Sequence, residues 1–169
     1  MSKITLKGNP VNTVGQLPGV GKKAPAFALV AHDLSDCKLA DFAGKTVILS
    51  IFPSCDTGVC AKSIRKFNET AGQLEETVVV NVSMDLPFAQ KRFCDSEGLN
   101  NVKNLSGFRS PSFGSDYGVT MTDGPLSGLY CRAIVVVNGE GTVIHTELVP
   151  EIVQEPNYDA VLSAAAQMA

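Results

Sequence analysis

Five cysteines carry most of the reactive chemistry open to this 169-residue chain: Cys37, Cys55, Cys60, Cys94 and Cys131. An odd count at wide spacings does not resemble a secreted disulfide scaffold. No two stand as Cys-x-x-Cys, and His32 and His145 are the only histidines, so a zinc site has little support. Thiol redox chemistry remains, and Cys60 has the setting for it. An apolar run, Val47 to Phe52, is closed by Pro53 and followed by Asp56 and Thr57, both N-cap residue types. After them Cys60, Ile64, Phe67, Ala71 and Leu74 recur at helical spacing. Cys60 is therefore predicted in the first turn of a helix that leaves a buried strand. The unpaired N–H groups and the positive end of the macrodipole there favour an anion. The thiolate is that anion, and it is the nucleophilic form of cysteine. Position alone leaves a second reading open: a small apolar side chain on the core stripe of the helix.

The elements that must position Cys60 follow from the apolar pattern. Ile4-Thr5-Leu6 and Val11-Asn12-Thr13 read as a hairpin around Gly8-Asn9-Pro10. Gly15 to Pro25 reads as loop, Phe27 to Val30 as a short strand, Ser35-Asp36-Cys37 as a turn, and Leu39 to Gly44 as one helical turn. Thr46 to Phe52 and Thr77 to Ser83 have the near-continuous apolar pattern of strands covered on both faces. The helix between them is expected from about Val59 to Glu75. Asp85 is expected to cap a second helix running to about Phe93, with Pro87 in its first turn. Val102 to Leu105 reads as a short strand, and Ser106 to Gly118 as irregular chain with a short helix. Leu129 to Val137 and Thr142 to Leu148 read as strands joined at Asn138-Gly139-Glu140-Gly141. A closing helix from about Pro156 carries Tyr158, Val161, Leu162 and Ala165 on one side. This order predicts an α/β protein, a mixed sheet with helices on both faces, in a single domain over residues 1–169.

Composition sets the outer bounds. An apolar fraction of 44% fits a globular protein, and a net charge of −3 gives no broad footprint for nucleic acid. No apolar run reaches the length of a membrane span. The first residues lack the apolar core of a signal peptide, so a cytoplasmic location is expected.

Longer motifs narrow the reading. Pro53-x-x-x-Thr57-x-x-Cys60 fits the Pro-x-x-x-Thr-x-x-Cys loop of peroxiredoxins. Asp56-Thr57-Gly58-Val59-Cys60 with Ser63-x-Arg65-Lys66-Phe67-Asn68 closely resembles the bacterial thiol peroxidases, which are atypical two-cysteine peroxiredoxins. Ser83-Met84-Asp85-Leu86-Pro87-Phe88-Ala89-Gln90, Arg92-Phe93-Cys94, Gly98-Leu99-Asn100-Asn101-Val102, Asp123-Gly124-Pro125-Leu126 and Arg132-Ala133 extend the likeness over essentially the whole chain.

The resemblance implies a thioredoxin-like fold with an added N-terminal hairpin. It implies a peroxidase acting on hydrogen peroxide and on alkyl or lipid hydroperoxides, without cofactor or metal. Cys60 would be the peroxidatic nucleophile and Cys94 the resolving cysteine, joined in an intrachain disulfide that thioredoxin reduces. Thr57 and Arg132 would hydrogen-bond the thiolate and peroxide, and Pro53 would shape the loop. A homodimer is implied as well. Cys94 stands near the end of its own helix, so its pairing with Cys60 predicts local unwinding. Phe88, Phe93, Met84 and Leu126 offer an apolar collar beside Cys60, although Met84 and Phe93 read equally well as core. Cys55 departs from the family pattern and reads as a harmless substitution. Cys37 is expected to be exposed and Cys131 packed in a strand. Two rivals stand beside the peroxidase. A disulfide oxidoreductase is disfavoured because Thr57 occupies the place of its second cysteine. A redox sensor on the same fold would differ only in lacking turnover.

Overall fold

The computed structural model describes residues 1–166. Its strands are β1 (Lys3–Leu6), β2 (Asn9–Asn12), β3 (Ala28–Val30), β4 (Asp36–Lys38), β5 (Thr46–Ile51), β6 (Thr77–Ser83), β7 (Val102–Ser106), β8 (Ala133–Val137) and β9 (Val143–Leu148). Its helices are α1 (Gly58–Ala71), α2 (Pro87–Glu97), α3 (Pro111–Asp116) and α4 (Tyr158–Ala166), with a 3-10 turn at Leu39–Phe42. β1 and β2 form a separate hairpin, and the rest form one seven-stranded sheet in the order β4-β3-β7-β6-β5-β8-β9. β5, β6 and β7 are parallel, and the pairings of β3, β4, β8 and β9 are antiparallel. β5 lies between β6 and β8, and every residue of it is buried. That is the position its near-continuous apolar run demands.

Alternation along the strands divides the core. Val47, Leu49 and Ile51 point to the face that packs Phe113 and Tyr117 from the α3 region. Ile48, Val79, Ile134 and Val136 point to the opposite face, where they meet Phe67 and Ala71 of α1 and Val161 and Ala165 of α4. The Phe67 ring stands edge-on to Tyr158 at 5.2 Å between centroids. Helices thus cover both faces, as the element order predicts.

Several boundaries differ from expectation. α1 stops at Ala71 because Gly72 takes the C-cap, and Leu74 folds back onto the same core from outside the helix. Ser35-Asp36-Cys37 is not a turn: Asp36–Lys38 is the edge strand β4, and Cys37 is buried opposite Leu29. One inward side chain in three residues is too short an alternation to read. β8 begins at Ala133, four residues after Leu129, and Tyr130 makes only an isolated bridge to Thr120. Among the described residues no helix is long and apolar enough to cross a membrane.

The hairpin turns at Lys7 and Gly8, both at positive φ (50° and 82°), one residue earlier than Gly8-Asn9-Pro10 suggests. Glu151 fastens it to the body, accepting hydrogen bonds from the Thr5 hydroxyl and from the backbone N–H groups of Lys7 and Gly8. The Thr5 bond above all, and the backbone bonds with it, draw the Glu151 carboxyl from its ordinary 4.5 to about 2. A lowered folded-state value adds stability that is present above the ordinary value and lost as pH falls through the folded one. Hairpin amides are therefore expected to lose exchange protection between pH 4.5 and 2, ahead of β5 and β6. Glu151→Gln should remove this acid step, and a hairpin that opens identically with and without the carboxylate would contradict the assignment.

Candidate active site

At the end of β5 the chain leaves the sheet through Phe52 and a buried Pro53, then turns on itself. Asp56 N–H donates to Ser54 Oγ at 3.1 Å, and Thr57 N–H donates to the Ser54 carbonyl oxygen at 3.2 Å. Thr57 is the extended N-cap of α1, so Cys60 is the third helical residue, as expected. It is fully buried. Thr57 itself is exposed, and its hydroxyl donates to the Ser54 carbonyl oxygen at 3.1 Å rather than serving a helix N–H. In this resting arrangement it makes no hydrogen bond to Cys60.

Arg132 stands directly before β8, the antiparallel neighbour of β5, and its Ala133 is the register partner of Ile51. That adjacency carries Arg132 to the strand end where α1 begins. The residue is 2% exposed. Its Nη2 donates to Cys60 Sγ at 3.1 Å and its Nε to the Ile152 carbonyl oxygen at 2.8 Å. Nη1 is buried without a partner among the described residues. An always-charged guanidinium held in this way has a donor left over next to the sulfur.

Cys94 lies in the last turn of α2, 4% exposed, in the cluster that also holds Cys60, Phe52, Cys55, Ile64 and Leu99. Asn104 Nδ2 donates to its sulfur at 2.8 Å, and Asn81 Nδ2 donates to Asn104 Oδ1 at 3.2 Å. Burial pushes the Cys94 thiol up, and the Asn104 bond opposes it. Gly98, at φ 68°, ends the helix, with Leu99 N–H donating back to the Cys94 carbonyl oxygen at 3.0 Å. Asp85 is not the cap of this helix: Leu86 takes that place, and the Asp85 carboxylate turns to the Cys60 loop. Sequence reasoning missed Asn81 and Asn104, for which the signal available was a polar residue within an otherwise apolar buried strand, and it gave Asp85 only a capping role.

All five cysteines are free thiols. Burial drives Cys55 and Cys131 up to about 12, helped at Cys55 by the Asp85 charge, and raises Cys37 as well. Cys37 is thus buried, not exposed. Cys131 is fully buried just outside β8. Of the proposed collar, Phe93 packs on the Cys60 cluster, whereas Met84 and Leu126 pack on the opposite core. Leu126 borders a cavity under the N-terminal hairpin with Leu6, Pro10 and Val11, and Phe88 is 65% exposed on α2. Ligand atoms of Cys55, Asp56 and Asp85 gather within 4.8 Å of one another. Asp85 already accepts three hydrogen bonds there, and the raised Cys55 thiol is a poor metal donor.

A strand–helix junction with a buried thiol on the first helical turn, in a mixed sheet of this order, defines a redox protein on the thioredoxin-like plan. A family model described as Redoxin matches residues 19–162. The thiol peroxidase of Mycobacterium tuberculosis (strain ATCC 25618 / H37Rv) is 58% identical over 164 residues, covering 97% of this chain and 98% of that one. A crystal structure of a peroxiredoxin-like protein from Aquifex aeolicus superposes with a TM-score of 0.94 at 40% identity, over 100% of this chain and 98% of that one. A thiol peroxidase from Chromobacterium violaceum shares the fold, with a TM-score of 0.89 at 22% identity over 96% of this chain and 95% of that one. The chain belongs to the Redoxin family and, within it, to the bacterial thiol peroxidases.

Proposed function

We propose that the protein is a thiol-dependent peroxidase of redox defence that reduces hydrogen peroxide and organic hydroperoxides. The observation that supports this most is Arg132. Its buried Nη2 touches Cys60 Sγ at 3.1 Å while Nη1 has no partner. Such a donor pair stabilises negative charge on the sulfur and on an oxygen bonded beside it. Cys60, as thiolate, attacks the terminal oxygen of the hydroperoxide. The O–O bond breaks, the alkoxide or hydroxide leaves and takes a proton, and Cys60 becomes a sulfenic acid. The Cys94 sulfur then displaces the hydroxyl group as water, giving the Cys60–Cys94 disulfide. A thioredoxin-type dithiol reduces that disulfide and becomes oxidised itself. Pro53, buried where the chain leaves β5, shapes the loop and helps keep water out. In this reading the Thr57 hydroxyl turns from the Ser54 carbonyl oxygen to the thiolate and peroxide when substrate binds. Phe52, Phe93, Ile64 and Leu99 make the surroundings apolar, which suits alkyl hydroperoxides. In this reading residues 1–169 act as one domain, and the protein works as a cytoplasmic homodimer.

The test is peroxide consumption with thioredoxin, thioredoxin reductase and NADPH, using hydrogen peroxide and cumene hydroperoxide in parallel. The intact protein should consume both, and Cys60→Ser should consume neither. No consumption by the intact protein would remove the peroxidase reading and leave a sensor.

A further inference from the structure

The Asp85 carboxylate is bound on several sides by segments that belong to the two cysteines. Oδ1 accepts from Ser54 Oγ at 2.7 Å. Oδ2 accepts from Cys55 N–H at 2.8 Å and from Ser83 Oγ at 2.7 Å. The Asp85 carbonyl oxygen accepts from the Ser106 hydroxyl. Ser54 and Cys55 form the turn that leads into α1. Ser83 ends β6, and its oxygen also accepts from Gln90 Nε2 at 3.1 Å. Gln90 is buried in α2 one helical turn before Cys94, and therefore on the same side of the helix. A continuous chain of hydrogen bonds thus runs from the loop before Cys60, through Asp85 and Ser83, to the helix of Cys94.

We infer that Asp85 is a positioning residue that latches the Cys60 loop to the Cys94 helix, so that its release gates formation of the disulfide. The inference rests on the two-cysteine reading above. While the latch is closed, the Cys60 loop is held in the arrangement that meets peroxide. Cys94 is held in a completed helix, with its carbonyl bonded to Leu99 N–H. Cys60 and Cys94 are free thiols in this arrangement, so on the two-cysteine reading the two segments leave it for the sulfurs to join. Three hydrogen bonds to one ionised carboxylate are among the stronger local ties available, because charge-assisted bonds exceed neutral ones. Losing the latch should slow the first step and speed the second, whereas loss of mere scaffold would slow both. Asparagine can keep the arrangement. Its Oδ1 can take the bonds from Cys55 N–H and Ser83, and its Nδ2 can donate to Ser54 Oγ.

The chain has no tryptophan, so acid-quenched samples read by intact mass are the appropriate assay. Sulfenic acid, trapped by dimedone, reports the first step, and loss of two hydrogens reports the second. Asp85→Ala is expected to slow oxidation of Cys60 about tenfold and to speed disulfide formation about tenfold, the scale of a lost charged hydrogen bond. Asp85→Asn should stay within about threefold of the intact protein on both steps. A folded Asp85→Ala protein with both rates unchanged, or with both reduced, overturns the latch, and so does Asp85→Asn behaving like Asp85→Ala. If circular dichroism shows Asp85→Ala unfolded, Ser54→Ala decides by removing one arm, and an unchanged disulfide rate in that variant overturns the inference. The intact protein separates the two readings. If it forms no Cys60–Cys94 disulfide, the two-cysteine mechanism fails and this inference with it. If it forms the disulfide and the variants match it, only the latch fails.

Discussion

Arg132→Leu is expected to lower the rate constant for oxidation of Cys60 by hydroperoxide about 10²- to 10³-fold, the usual cost of deleting a donor aimed at developing charge. Two donors are lost together: Nη2, at 3.1 Å from the sulfur, and Nη1, which has no protein partner. As the O–O bond breaks, negative charge builds on the departing oxygen inside a site closed to water. The side chains clustered around Cys60 are apolar, so this charge falls to Arg132. Arg132→Lys should recover little, because one ammonium cannot donate to Cys60, to the Ile152 carbonyl oxygen and to a substrate oxygen at once. The fold should survive, since the same substitution that leaves Ile152 unpaired also removes a buried charge with an unsatisfied nitrogen. A rate constant within about threefold of the intact protein would show that Arg132 only fills space and would remove the main support for the proposed chemistry.

Cys94→Ser should separate the two halves of the cycle. Oxidation of Cys60 is expected to stay within about twofold, while turnover with thioredoxin falls more than about a hundredfold, because a serine cannot close the disulfide. The protein should stop as a sulfenic acid and pass to the sulfinic form under excess peroxide. Turnover at the intact rate would mean that thioredoxin attacks the sulfenic acid directly. In the intact protein the step has visible structural costs. On the two-cysteine reading the Leu99 to Cys94 bond is expected to break, and the paired contacts of Arg65 with Glu97 (2.9 Å), with the looser Arg92–Asp56 approach (3.7 Å), are expected to loosen between α2 and the α1 segment. These ion pairs are exposed and individually weak, so they slow the motion without forbidding it.

Reading the sequence succeeds where burial is two-sided. Val47 to Ile51, Val78 to Val82 and Ile134 to Val137 announce central strands because each is apolar on both faces but for a single polar residue at most, Ser50 in the first and Asn81 in the second. The place of Cys60 follows from that, since the helix stripe begins immediately after the strand. Edge elements are quieter: Asp36-Cys37-Lys38 has one buried residue and borrows its strand character entirely from β3. Asp85 has a capping residue type at a capping position, yet tertiary partners 30 residues away claim its carboxylate. Arg132 carries no local signal at all. Only the resemblance singles it out, and only the antiparallel pairing of β5 with β8 explains its arrival beside Cys60. Collar residues failed for a related reason. Apolar character shows that Met84 and Leu126 are covered, but not on which side of the sheet.

The burial of every cysteine, none more than 7% exposed, has a consequence for chemical probes. An alkylating reagent cannot approach a thiol that never reaches the surface of the closed protein, so it must wait for the molecule to breathe. Labelling by maleimide should therefore level off as reagent concentration rises, and the plateau is the breathing rate itself. Electrophiles too bulky to enter the closed site then compete for brief intervals instead of for a patch of surface. A covalent inhibitor of this chain would be limited by the protein's own clock, however reactive its warhead.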